Sequence, residues 1–190
     1  MPMILAGVAG LALSLVTGGS LGALARVRLR WPVVVVVALA IREAGVLTPL
    51  AHSPLAPIVY SASQAALLLW VAWHARRHPG LWPVAAGIAM NLAVVLANGG
   101  HMPVDPAAAT RGSLPPAGGT GQYILAGPGT ILAPLDDRLV LPPPAGRVMT
   151  AAYSAGDVVA AAGMATALFW MSRGVGRRAV AESQQKLHGS

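Results

Sequence analysis

Asn98-Gly99-Gly100-His101-Met102-Pro103 divides the chain into two kinds of sequence. Upstream lie four apolar segments joined by short basic links; downstream come a long loop and one last apolar segment. Asn and Gly accept the left-handed backbone that closes a helix, so the stretch reads as the stop of the fourth segment. His101-Met102-Pro103 then turns the chain into the loop. Residues 98–153 hold nine of the sixteen Pro and nine of the twenty-two Gly. A loop of this length is either functional or disordered, and its apolar runs favour a folded cap. Gln122-Tyr123-Ile124-Leu125 and Thr130-Ile131-Leu132 flank Ala126-Gly127-Pro128-Gly129, which predicts a short β-hairpin.

Composition sets the class. The 190 residues are 55% hydrophobic and only 10% charged, against roughly 25% charged in soluble domains. So few charges cannot coat a water-exposed globule, and the apolar residues come in blocks. The expected fold is an all-α polytopic membrane helix bundle with spans at about 3–24, 31–50, 57–74, 81–97 and 154–172. Residues 1–175 form one membrane domain, with a tail at 176–190. Segment one is short for a span of about 20 residues, so its reading continues through Gly18-Gly19-Ser20 to Leu24. Gly18 and Gly22, like Ala6 and Gly10, are spaced to let another helix approach closely. The five-Val run from Val33 to Val37 would suit a strand in water; in lipid, backbone satisfaction makes it helix.

Charge gives orientation. Arg26, Arg28, Arg30, Arg76, Arg77, Arg173, Arg177, Arg178 and Lys186 follow segments one, three and five, nine of the thirteen basic residues. Only Arg111, Arg138 and Arg147 fall in the long loop. The positive-inside rule then puts the N-terminus outside and the C-terminus inside a cell membrane crossed five times. The net charge of +7 sits in short clusters between apolar blocks without aromatic interleaving, which reads better as a topology signal than as a nucleic-acid site, and no nucleic-acid partner is expected. Arg26-Val27-Arg28-Leu29-Arg30-Trp31 reads as an interfacial strip, guanidinium groups at the headgroups and indole at the boundary.

The candidate ligand- or ion-binding residues are Arg42, Glu43, Gln64, Asn91, Asn98, His101 and Asp157. Arg42 and Glu43 interrupt an apolar segment, where a charge costs at least about 2.5 kcal/mol. Adjacent on a helix, they point about 100° apart and call for separate partners. Gln64 lies on a polar helix face with Tyr60 and Ser61, and Asn91 shares a face with Gly87 and Asn98. Ser154-Ala155-Gly156-Asp157 resembles a capping box, which accounts for Asp157 without catalysis. There is no Cys, the His-x-x-x-His at His74 to His78 falls in a basic link, and the outer His52 and His101 belong to no His-x-x-x-His or Glu-x-x-His, so no metal and no cofactor are expected, and no complete catalytic set is readable. The functional expectation is solute or ion translocation, or ligand binding, at an outer-facing polar vestibule. The alternative is a non-catalytic accessory or assembly subunit. The partners are the bilayer and either further copies of the chain or another membrane protein.

Several stretches together resemble an uncharacterised bacterial integral membrane family, the domain of unknown function 5317. They are Gly18-Gly19 with the Arg26 to Arg30 strip, Pro79-Gly80-Leu81-Trp82, Asn91, Ala97 through Pro103, Leu139-Val140-Leu141-Pro142 and Ser154-Ala155-Gly156-Asp157. The resemblance implies a small polytopic membrane protein with no established activity. Members more often carry Arg where His101 stands, so it implies no role specific to His.

Overall fold

The computed structural model of the protein describes residues 2–47, 53–111, 122–141 and 152–173. Seven α-helices occur among them: α1 (Pro2–Val16), α2 (Leu21–Ala25), α3 (Val33–Leu47), α4 (Ala56–Ala75), α5 (Trp82–Ala97), α6 (Pro106–Arg111) and α7 (Ala155–Arg173). Ala56–Ala75, Pro79–Ala97 and Ala155–Arg173 are long and apolar enough to cross a membrane. At 1.5 Å per residue, 20 residues reach about 30 Å, a hydrocarbon thickness.

The first segment is not the continuous helix expected over 3–24. Gly18 takes φ +96°, the Gly19 N–H bonds Ser14 O at 2.7 Å and the Gly18 N–H bonds Leu15 O at 3.4 Å. This is the paired closure that ends a helix at a left-handed glycine. Ser20 then caps α2, its Oγ accepting from the Ala23 N–H at 3.1 Å. Gly-Gly-Ser is thus a stop followed by a start, and α1 ends as a 15-residue helix.

The long helices follow the spatial order α1, α7, α5, α4, α3, each packing along the next. Small residues set the closest approaches. A Cβ on Gly10 would lie 2.2 Å from Ala165 O, and one on Gly87 2.4 Å from Gly156 O. Gly18 and Gly22 meet nothing within 4 Å, so of the two expected small-residue pairs only Gly10's packs a helix. Gly10 opposite Ala165 and Ser14 opposite Phe169 make α1 and α7 parallel. Asn91 by Gly156, Gly87 by Ala160, and Gly80 by Ala167 make α5 and α7 antiparallel. Val71, Ala75, Leu81, Val84, Ala85, Ile88 and Ala167 form a core shared by α4, α5 and α7. Among the described residues α1 and α3, at the two ends of the order, do not pack along each other.

The described residues from 99 to 141 fold into a cap. Strand β1 (Met102–Val104) pairs in parallel with β2 (Tyr123–Leu125), Met102 opposite Tyr123. Asp137 bridges the other edge of β1 at Val104. The hairpin expected around Gly127-Pro128-Gly129 is therefore replaced by a parallel pair. A tight turn does form there, with the Thr130 N–H on Gly127 O and the Gly127 N–H on Thr130 Oγ1. It delivers Ile131 to a helix end instead of to a partner strand. Tyr60, Val94, Val95 and Met102 pack the cap onto α4 and α5.

Candidate functional site

Asn91 lies two turns below the cap on α5, and α7 begins opposite it. The Asn91 Nδ2 donates to Asp157 Oδ1 at 2.9 Å, and its Oδ1 accepts from the Ser154 hydroxyl at 2.8 Å. Ser154 Oγ accepts the Asp157 N–H at 3.0 Å, and the Ser154 N–H bonds Asp157 Oδ2 at 3.2 Å. The last two bonds are a reciprocal capping box with Asp in the place usually held by Glu or Gln. Asn91 closes it across 66 residues of sequence. Gly156 is required by this arrangement, since a Cβ there would lie 2.0 Å from Asn91 Oδ1. Ser154 is fully buried, while Asp157 keeps partial exposure. The antiparallel bridge of Leu139 to Tyr153 leads the cap into the same point. Burial, and then the Asp157 charge, raise the Tyr153 pKa above 10.0. The latch therefore fastens α5, α7 and the cap together.

Asn98 is a second fastening. Its Nδ2 donates to Val94 O at 2.8 Å and to Ile131 O at 2.9 Å, and its Oδ1 accepts the Ile131 N–H at 3.0 Å. The amide thus copies a strand partner for Ile131 while capping the end of α5. Asn98→Ala should leave both backbone groups of Ile131 to solvent and cost about 1 kcal/mol. Hydrogen exchange at residues 126–132 should accelerate while α5 stays protected. Gly99 and Gly100 supply the positive φ of the helix stop, +69° and +89°. Gly100 also backs onto Pro57, 2.5 Å from where a Cβ would stand.

The other candidates separate. Gln64 is buried on α4 and donates to Tyr60 Oη at 2.9 Å, a bond within one helix. His101 is half-buried between Gly100 and Met102. Arg42 and Glu43 lie in α3, and their side chains fall outside the described residues. Of the seven, Asn91 and Asp157 touch, and Asn98 stands two helical turns beyond Asn91. Among the described residues there is no group of three His, Cys, Asp or Glu able to hold a metal. Asp105 instead caps α6, accepting from the Ala107 and Ala108 N–H groups. Asp136 is buried and forms a two-pronged pair with Arg138, which raises the Arg138 pKa.

Residues 26–169 match a family of unknown function, DUF5317. The chain belongs to that family. The match begins after α1 and takes in the latch, the Asn98 fastening and the cap strands. No curated protein and no solved structure matches the chain.

Sequence reading missed a third feature of the family region, at the opposite end of the helices. His74 Nε2 accepts the Arg30 N–H at 3.0 Å, and Trp70 Nε1 donates to Arg30 O at 2.9 Å. His74 Nδ1 lies 2.8 Å from Trp70 O, so the ring is the neutral tautomer with its proton on Nδ1. One residue's N–H and carbonyl are both gripped from α4. Trp31, next in the chain, has φ +53°, a left-handed conformation rare outside Gly. Trp70 and His74 carry a helical spacing of four that could have signalled a shared face, but their distant partner is backbone and leaves no sequence signature.

His78 follows in the turn. Burial first, then the neighbouring His74 and Arg77, lower its pKa below 6.5. The folded chain binds this proton less tightly than the unfolded chain, so the contribution is complete above pH 6.5 and is lost as pH falls through the lowered value. The melting temperature should decline as pH falls from 6.5 through the lowered pKa, and His78→Asn should flatten that decline.

Proposed function

We propose that the chain is a multi-pass membrane protein that serves as a non-catalytic subunit, presenting its cap on the outer face of the membrane. One observation carries this: Gln64, Asn91, Asn98 and Asp157 are all spent on protein partners, and three of them hold the cap to the helices. Alternating crossings are supported by the helix directions, and an outside N-terminus by the charge distribution. α1 runs parallel to α7, and α5 runs antiparallel to both α7 and α4. The charge distribution agrees, with Arg26, Arg28, Arg30, Arg76, Arg77 and Arg173 at one end and Asp105, Asp136, Asp137 and Asp157 at the other. Among the described residues the helices at the ends of the spatial order, α1 and α3, each pack along a single long neighbour, which suits docking against another membrane protein or a second copy.

Solute or ion handling is the second reading, and the Arg42-Glu43 pair in apolar α3 favours it. Purification in mild detergent, with ligand screening by thermal shift, separates the two. The subunit reading expects a stoichiometric membrane partner or homo-oligomer and equal responses from wild type, Arg42→Gln and Glu43→Gln. A ligand that stabilises the wild type and neither variant would overturn it and locate a solute site.

A further inference from the structure

The grip on Arg30 joins two basic strips that are far apart in sequence. Arg26, Arg28 and Arg30 belong to the link before α3; Arg76 and Arg77 end α4. With the Arg30 backbone held by Trp70 and His74, the first strip lies against the helix end that carries the second. All five guanidinium-bearing residues are exposed. The chain has no Asp or Glu in residues 1–42 or 44–104, and the ion pair among the described residues is at the other end, between Asp136 and Arg138. The patch thus gathers five cations with no carboxylate from its own segments. Two exposed indoles border it: Arg30 stands 5.7 Å from the Trp31 ring and Arg76 5.7 Å from the Trp73 ring, with Trp31 62% and Trp73 45% exposed.

We propose that this patch binds the phosphate headgroups of anionic phospholipids, with Trp31 and Trp73 seated at the acyl boundary. Cations alone would fit many anions, including nucleic acid. The flanking indoles and the apolar helices running directly from them make a lipid surface the complementary partner. The Arg30 grip contributes order: it fixes the strip's backbone, so binding draws on an arranged set of guanidinium groups instead of a loose tail. The inference rests on the membrane reading above but not on which face is inside.

The test is native mass spectrometry of the detergent-purified chain, titrated with phosphatidylglycerol or with phosphatidylcholine. The wild type should retain phosphatidylglycerol at least about tenfold more tightly, and each Arg removed should weaken it roughly fivefold. Arg28→Gln/Arg76→Gln/Arg77→Gln should abolish the preference. His74→Ala keeps every Arg and should still reduce it severalfold by freeing the strip. Inorganic phosphate at millimolar concentration should compete poorly. Equal retention of the two lipids by the wild type, or an unchanged preference in a monodisperse triple variant, overturns the proposal. An unchanged preference in His74→Ala overturns the role of the grip, and tighter retention of a short RNA than of phosphatidylglycerol overturns the choice of partner. A chain that stays monodisperse without detergent defeats the membrane reading itself, whereas loss of headgroup preference in detergent defeats this inference alone.

Discussion

Gly87→Leu should separate α5 from α7 and leave the protein unable to hold its native packing in detergent. A Cβ at position 87 would stand 2.4 Å from Gly156 O, 2.5 Å from Ala160 N and 2.8 Å from the Ala160 Cβ. Two of these atoms are backbone, so no rotamer change relieves the clash and the helices must move apart. Overpacking typically costs about 1–3 kcal/mol and more where backbone blocks relaxation. Gly87→Ala should already cost at the upper end of that range. In membranes this matters doubly, because helix association depends on close packing of small residues and not on expulsion of water. Denaturant unfolding in mixed micelles measures the effect. Gly22→Ala is the control: nothing stands within 4 Å of it, and removing a helical Gly should be neutral or stabilise by up to about 1 kcal/mol.

Asn91→Leu should cost roughly 2–4 kcal/mol, because it strands two polar groups at once. The Ser154 hydroxyl, fully buried, loses its acceptor, and Asp157 Oδ1 loses the amide that faces it. The half-buried carboxylate would then keep only its own capping bond. Ser154→Ala should cost about 1–2 kcal/mol by removing the helix cap along with the link to Asn91. A double-mutant cycle between Asn91→Ala and Asp157→Ala should give a coupling energy of about 1 kcal/mol. Hydrogen exchange gives an independent readout, since loss of the latch should expose Leu139 and Tyr153 amides while the α4–α5 core stays protected. Additive effects at these two positions would mean that the latch does not act as a unit.

The long helices were legible because their apolar runs are long and their ends carry local signals. Trp82-Pro83 begins α5 and Asn98-Gly99-Gly100 ends it, within a residue of expectation. The capping box at Ser154 was equally legible, being local. Segment one failed for an instructive reason. Gly18-Gly19-Ser20 reads as small residues within an apolar run, but its glycines favour the left-handed closure and Ser favours a cap. Those local preferences outweigh the need for length. The β-hairpin failed because the turn residues specify only the turn. What Tyr123-Ile124-Leu125 pairs with depends on Met102-Pro103-Val104 lying on the floor of the cap, about twenty residues upstream. Asn91 was placed on the right face, but its partners are more than sixty residues away and nothing local names them. Asn91, Asn98 and Asp157 each satisfy backbone or side-chain groups of the protein itself.

If the chain crosses a membrane as proposed, the cap and the Arg-rich end lie on opposite sides of it. Since the chain has no Cys, single cysteines report cleanly. Two variants, Gly129→Cys in the exposed turn of the cap and Arg77→Cys at the basic end, should be treated in intact cells with a membrane-impermeant maleimide. The Gly129→Cys variant should react in intact cells, and the Arg77→Cys variant only after permeabilisation. Labelling of both variants from the same side, or of the Arg77→Cys variant alone from outside, would contradict that arrangement.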